Sequence, residues 1–161
     1  MKALLVVDIQ KGLTLKKPLH DFAKFVHTVN CSINKYREAE DLIIFIQHNN
    51  RQLQEFTGDW EVDDRIDKQK NDLIIQKFHG NAFLDTDLET VLVAGSIKEI
   101  LICGLVSHGC VKYTCLGGLK LGFRTALLRN GHTNWNKNAE MVKALVEKEL
   151  IDKGVEMEGV K

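Results

Sequence analysis

ALLVVD, at residues 3–8, is an unbroken apolar run that ends in an aspartate. LIIQK, at residues 73–77, ends in a lysine, and ILICGLVSHGC, at residues 100–110, leads into a cysteine. Continuous Val, Ile and Leu runs of this length favour strands that are buried on both faces, as in a parallel sheet. The carboxyl ends of parallel strands lie at one edge of the sheet, so the pattern predicts that the carboxylate, the amine and the thiol meet there.

Helices and further strands continue this alternation along the chain. The apolar runs at 42–46 and 125–128 are predicted strands, and the tail at 155–157 is predicted to add a short one. Apolar side chains recur with helical spacing between the runs. The predicted helices cover residues 22–36, 86–95, 109–122 and 138–150. We therefore predict one α/β domain over residues 1–161, with a mostly parallel sheet of about six strands in the common order 3-2-1-4-5-6.

Residues 48–71 interrupt the alternation, because this segment is polar and charged. It is predicted to form a long loop with room for one short helix. Loops of this length within a domain are usually functional or mobile.

Charge and composition exclude several classes of partner. Lys plus Arg and Asp plus Glu both number 22, so the formal net charge is zero, and no basic block suggests binding to nucleic acid or acidic lipid. A neutral chain favours self-association, and we expect a homo-oligomer, a dimer or larger. The N-terminus lacks the pattern of a signal peptide, and no apolar stretch is long enough to cross a bilayer, which predicts a cytoplasmic protein. Its four cysteines are then expected to be free thiols, and their spacing matches no zinc pattern.

Cys110 falls at the predicted start of a helix. The partial positive charge and free N–H groups of a helix N-terminus favour a thiolate, a nearby lysine lowers the thiol pKa further, and the N–H groups can hold a developing oxyanion. Each residue also has a structural interpretation: Cys110 as a buried core residue, Asp8 as a turn former or helix cap, and Lys77 as a solvated loop residue. The coincidence of all three at one sheet edge favours catalysis.

Three segments resemble the isochorismatase-like cysteine hydrolases, the family of nicotinamidases, N-carbamoylsarcosine amidases and isochorismatases. They are ALLVVDIQ at 3–10, KFHGNAFLDTDLETVL at 77–92 and ILICGLVSHGCVKYTCLGGLKLGF at 100–123. The resemblance implies a three-layer α/β/α, Rossmann-like fold and a catalytic triad of Asp8, Lys77 and Cys110. It also implies cleavage of a small-molecule amide or related C–N bond through a Cys thioester, with no cofactor.

The resemblance further implies where the substrate would be held. The backbone N–H groups of Ser107 and Cys110 are expected to form the oxyanion hole, and the Val106–Ser107 peptide bond is expected to be cis. The residues expected to line the substrate pocket are Leu13, His48, Phe83, His108 and Tyr113.

A metal-independent site is expected, because the chain departs from the metal-dependent nicotinamidases of the family. Those relatives carry Asp-x-His after the second strand and another histidine further on, whereas this chain reads Gln47-His48-Asn49 and supplies no carboxylate there. Two alternatives stay open at this point. The first is a catalytically idle flavodoxin-like binding or interaction module, and the second is a thiol redox sensor.

Overall fold

A six-stranded parallel sheet with the order β3-β2-β1-β4-β5-β6 forms the centre of the computed structural model, which describes residues 1–159. The predicted strand order is confirmed. The strands are β1 (Ala3–Val7), β2 (Leu42–His48), β3 (Leu73–Lys77), β4 (Glu99–Leu105), β5 (Arg124–Thr133) and β6 (Glu156–Glu158). Residues of the central strand β1 are fully buried, as expected for a strand covered on both faces.

Helices cover both faces of the sheet, so the three-layer α/β/α fold is confirmed. They are α1 (Lys11–Thr14), α2 (Phe22–Glu38), α3 (Leu88–Ala94), α4 (Lys112–Lys120) and α5 (Ala139–Lys153). The apolar side of α2 packs on one face of the sheet, and α3, α4 and α5 pack on the other. Among residues 1–159, no helix is long and apolar enough to span a bilayer.

The predicted long loop after β2 is confirmed, and it contains one short 3-10 turn at Gly58–Trp60. The side chain of Gln10 holds this loop against the end of the sheet. Its Nε2 donates to the carbonyl of His48 at 3.0 Å and to that of Trp60 at 2.9 Å, and its Oε1 accepts from the backbone N–H of His48 at 2.8 Å. These three bonds fix the end of β2 beside the end of β1.

Gly104 lets β1 and β4 approach each other closely just before the site. Its φ is +129°, and a Cβ at this position would lie 2.0 Å from the carbonyl oxygen of Val7. Only glycine fits such a contact and such a backbone conformation. Asp8, the residue that follows Val7, also has a positive φ, of 55°. The chain therefore turns sharply at the residue that supplies the carboxylate.

Candidate active site

The structure brings Asp8, Lys77 and Cys110 together at the carboxyl edge of the sheet. The Nζ atom of Lys77 lies 3.0 Å from Oδ2 of Asp8 and 3.1 Å from Sγ of Cys110. Asp8 is 2% exposed and Lys77 is 0% exposed. Because β1, β3 and β4 are parallel, their last residues or the turns that follow them reach the same place.

His48, the last residue of β2, also contacts the lysine. Its Nδ1 lies 2.6 Å from Nζ of Lys77, and Nζ donates to the carbonyl of His79 at 3.1 Å. Burial and the positive charge of Lys77 lower the pKa of the His48 imidazole, so the ring is neutral and its Nδ1 accepts from the ammonium. The ammonium thus lies among four acceptors, and its position is closely defined.

The Cys110 thiol is protonated at rest. Burial and the negative charge of Asp8 raise its pKa to about 12, and they outweigh the opposing effect of Lys77. The pKa of this thiol is therefore raised, whereas the helix start and the nearby lysine were expected to lower it. The sequence places the sulfur at a helix start, but it does not show the burial of the sulfur or how close the carboxylate lies.

Asp8 is well placed to accept the proton of that thiol. Its Oδ2 contacts Lys77, whereas its buried Oδ1 has no hydrogen-bond partner among the described residues. A carboxylate oxygen of Asp8 and Sγ of Cys110 lie within 4.8 Å of each other. A buried carboxylate with an available oxygen beside a thiol can act as a general base.

Cys110 lies in a short π-helical turn, Ser107–Val111, between β4 and α4. Ser107 is fully buried, and Cys110 is partly exposed. The cis peptide bond of this region joins Leu105 to Val106 and not Val106 to Ser107, so the expected position was wrong by one residue. Strand pairing continues through Leu105, and the cis bond is the first peptide bond beyond the paired residues.

The five residues expected to line the substrate pocket lie in different surroundings. His48 contacts Lys77, and Leu13 lines a groove of about 290 Å³ with Trp135. Phe83 stacks on Phe123, with ring centroids 5.8 Å apart, and packs against the core on the α4 side of the sheet. His108 is exposed on the π-helical turn, and Tyr113 is half-exposed on α4. A shared pocket of these five side chains stays a prediction.

Sequence reasoning missed a buried polar network directly behind the turn. Ser107, His132 and Asn134 are all 0% exposed. The hydroxyl of Ser107 lies 2.9 Å from Nδ1 of His132, and Nε2 of His132 lies 2.9 Å from Oε1 of Glu147. The one available signal was the Arg129-Asn130-Gly131-His132 segment, which lies near the end of β5.

A divalent metal does not fit the donor atoms of this site. Within residues 1–159, one cluster of candidate ligands is found, and it consists of Asp8, His48 and Cys110. Nζ of Lys77 lies 3.0, 2.6 and 3.1 Å from these three side chains, so an ammonium already occupies the space between them. A cation beside that charge would be repelled, and the ammonium would compete for each ligand.

Comparison with known proteins agrees with this fold. A family model described as the isochorismatase domain matches residues 2–148. A streptothricin hydrolase from Streptomyces noursei is 25% identical over 140 residues, which cover 84% of this chain and 51% of that protein. An N-carbamoylsarcosine amidase from an Arthrobacter species is 30% identical over 83 residues, which cover 47% of this chain and 31% of that protein. The crystal structure of an isochorismatase family protein has a TM-score of 0.91 at 26% identity and covers 98% of this chain and 97% of its own.

The family model spans most of the chain, and the protein therefore belongs to the isochorismatase family. The chain spans about half the length of the streptothricin hydrolases that it matches. The match to the family model, over residues 2–148, includes Asp8, Lys77 and Cys110.

Proposed function

We propose that this protein is a metal-independent cysteine hydrolase that cleaves a small-molecule amide or a related C–N bond. The observation that carries the proposal is the position of the Lys77 ammonium, within 3.1 Å of both the Asp8 carboxylate and the Cys110 sulfur. A buried base, a thiol and a cation in contact are the groups that nucleophilic catalysis by cysteine needs. The amidase and hydrolase among the relatives support a C–N bond as the target.

The first half of the reaction forms a thioester. Asp8 takes the proton of the Cys110 thiol as sulfur attacks the carbonyl carbon of the substrate, and Lys77 offsets the charge that develops on sulfur. The backbone N–H groups of Ser107 and Cys110 hold the oxyanion of the tetrahedral intermediate. Protonated Asp8 then gives its proton to the leaving nitrogen, the C–N bond breaks and the amine departs.

The second half hydrolyses the thioester. Asp8 takes a proton from a water molecule, and the oxygen of that water attacks the thioester carbon. The intermediate collapses, the C–S bond breaks, and sulfur recovers its proton from Asp8. The products are a carboxylic or carbamic acid and the amine, and the protein returns to its starting state with a protonated thiol.

The redox-sensor alternative is not favoured, because Cys103 and Cys115 are both 0% exposed. Burial also raises the pKa of each of these thiols, which makes them poor partners for a disulfide with Cys110.

All four cysteines are free, which supports a cytoplasmic location. The zero net charge supports self-association into a homo-oligomer. It also supports a small-molecule substrate with no nucleic-acid or membrane partner.

A pooled library of small amides, ureas and carbamoyl compounds tests the proposal. Consumption of each compound is followed by liquid chromatography and mass spectrometry, with wild-type protein beside Cys110→Ala. Cys31→Ala is the matched control, since Cys31 is another partly exposed free thiol. We expect turnover of at least one compound by wild-type and Cys31→Ala proteins and none by Cys110→Ala. Equal turnover by Cys110→Ala would refute a cysteine hydrolase.

A further inference from the structure

An irregularity in β5 places His132 behind the turn Ser107–Val111, which is called the nucleophile turn below. Ile102 of β4 pairs with Leu127 of β5, and Gly104 pairs with His132. Over this interval β4 advances by two residues and β5 by five, so residues 128–131 form a bulge without paired partners on β4. Bulges next to sites commonly redirect a side chain.

The bulge depends on the residue types at Asn130 and Gly131. Asn130 has a φ of 62°, in the left-handed region that few non-glycine residues adopt. A Cβ on Gly131 would lie 2.5 Å from the side chain of Leu128, so the bend depends on glycine there. A straight β5 would carry His132 past the end of its pairing with β4.

The two ring nitrogens of His132 are both engaged. The Glu147 carboxylate only accepts, and His132 holds the pKa of that carboxyl below its usual range, so Nε2 of His132 carries a hydrogen and donates it to Glu147. Nδ1 lies 2.9 Å from the hydroxyl oxygen of Ser107, within hydrogen-bonding distance. The amide of Asn134 donates to the same hydroxyl oxygen at 3.4 Å. The side chain of Ser107 is thereby tied to β5 and, through Glu147, to α5.

We propose that His132 and Glu147 are positioning residues that fix the Ser107 end of the nucleophile turn and so aim its N–H groups at the oxyanion. The inference rests on the proposed function, because it assigns the oxyanion hole to the backbone of Ser107 and Cys110. It adds two residues on β5 and α5 that do not touch the reacting atoms. Hydrogen-bond donors that are held in place stabilise an oxyanion more than mobile donors do, because they need no reorganisation as the charge develops.

Two small reagents separate this role from a merely structural one. p-Nitrophenyl acetate acylates a thiol through a tetrahedral oxyanion, whereas iodoacetamide alkylates it by direct displacement and forms none. Acylation is measured as release of p-nitrophenolate in excess of that by Cys110→Ala, because the acetyl thioester is itself hydrolysed, and alkylation is measured by peptide mass mapping at Cys110. Both rates are compared for wild-type, His132→Ala, His132→Asn and Ser107→Ala proteins. His132→Asn keeps a polar group for Ser107, so it serves as the conservative variant. Thr125→Val is the matched control, since Thr125 is a buried hydroxyl residue at the other end of β5.

We expect the acylation rate of His132→Ala and Ser107→Ala to fall about 10- to 100-fold, somewhat less than the loss of a whole oxyanion donor. Their alkylation rates should change less than about threefold, because no oxyanion forms. His132→Asn should recover part of the acylation rate, and Thr125→Val should match wild-type in both reactions.

A second variant keeps the test decisive if His132→Ala fails to fold, because Ser107→Ala removes a single oxygen and retains the backbone N–H. Equal changes in acylation and alkylation, or none in either, would overturn the positioning role. If neither reagent modifies wild-type Cys110, the proposed function fails instead, so the two failures are distinguishable.

Discussion

Replacing Asp8 with asparagine should make Cys110 more reactive toward a simple alkylating reagent while abolishing turnover. The Asp8 charge is one of the causes that raise the pKa of the Cys110 thiol to about 12. A uniform loss of activity would be expected from almost any change in the site. A gain in thiol reactivity is expected only if the carboxylate holds the proton on sulfur.

The size of the effect follows from the geometry. Asp8 and Cys110 place their oxygen and sulfur within 4.8 Å, where two unit charges interact by about 3 kcal/mol at an effective dielectric constant of about 20. Removing the charge therefore lowers the thiol pKa by about two units and raises the thiolate fraction at pH 8 about 100-fold. Each thiolate becomes about tenfold less nucleophilic, because nucleophilicity falls with pKa. The net expectation is an alkylation rate about tenfold above wild-type.

The assay measures alkylation of Cys110 by excess iodoacetamide at pH 8, by mass spectrometry, in a Cys31→Ala background. Asp152→Asn is the control, because it removes an equal charge from an exposed position on α5. Turnover of an identified amide by Asp8→Asn should fall at least about 100-fold, as expected for loss of a general base. Alkylation of Asp8→Asn no faster than wild-type would refute the assignment of Asp8 as the group that retains the thiol proton.

Three further predictions concern stability, measured by urea unfolding. Gly104→Ala should lower the free energy of unfolding by more than about 3 kcal/mol, because its Cβ would overlap the carbonyl of the neighbouring strand. Gly122→Ala, with open space around the added Cβ, should lower it by about 1 kcal/mol. Equal losses would contradict the argument that β1 and β4 approach closely at Gly104. Lys77→Met should lower the free energy of unfolding by about 3 kcal/mol, because it leaves the buried Asp8 carboxylate without its partner. An unchanged free energy of unfolding would show that Asp8 and Lys77 are not strongly coupled. Arg65 and other donors lower the pKa of Asp63 to about 2, so Asp63 stabilises the fold above about pH 4 and loses that contribution as the pH falls toward 2. Asp63→Asn should therefore lower the free energy of unfolding by about 2 kcal/mol at pH 7 and by almost nothing at pH 2. The same loss at both pH values would contradict this assignment.

The positions of Asp8, Lys77 and Cys110 at or after strand ends made their meeting predictable from sequence. Asp8 and Lys77 end or follow apolar runs, and parallel strands bring such ends to one edge, so local patterns were sufficient to predict the meeting. The protonation state of Cys110 was not predictable, because it depends on burial and on a carboxylate 102 positions away in the chain. The same holds for the contact between Lys77 and His48, which requires the register of β2 against β3.

The network behind the turn shows a second limit. His132 reaches Ser107 only because β5 bulges between Leu127 and His132, and neither apolar periodicity nor strand propensity marks a bulge of this kind. Its sequence signature, Asn130 and Gly131, is equally typical of an ordinary turn. The pairing of β5 with β4 sets the register that places His132 beside Ser107.

The most direct test of the whole account is the mass of Cys110 during turnover. Wild-type protein is mixed with a consumed amide, quenched in acid within milliseconds to seconds, and digested for peptide mapping beside Cys110→Ala. We predict that the peptide containing Cys110 gains the mass of the acyl group, that hydroxylamine removes the gain, and that no other peptide changes. Turnover of the amide with an unmodified Cys110 at every quench time, or an adduct on another residue, would contradict the thioester mechanism.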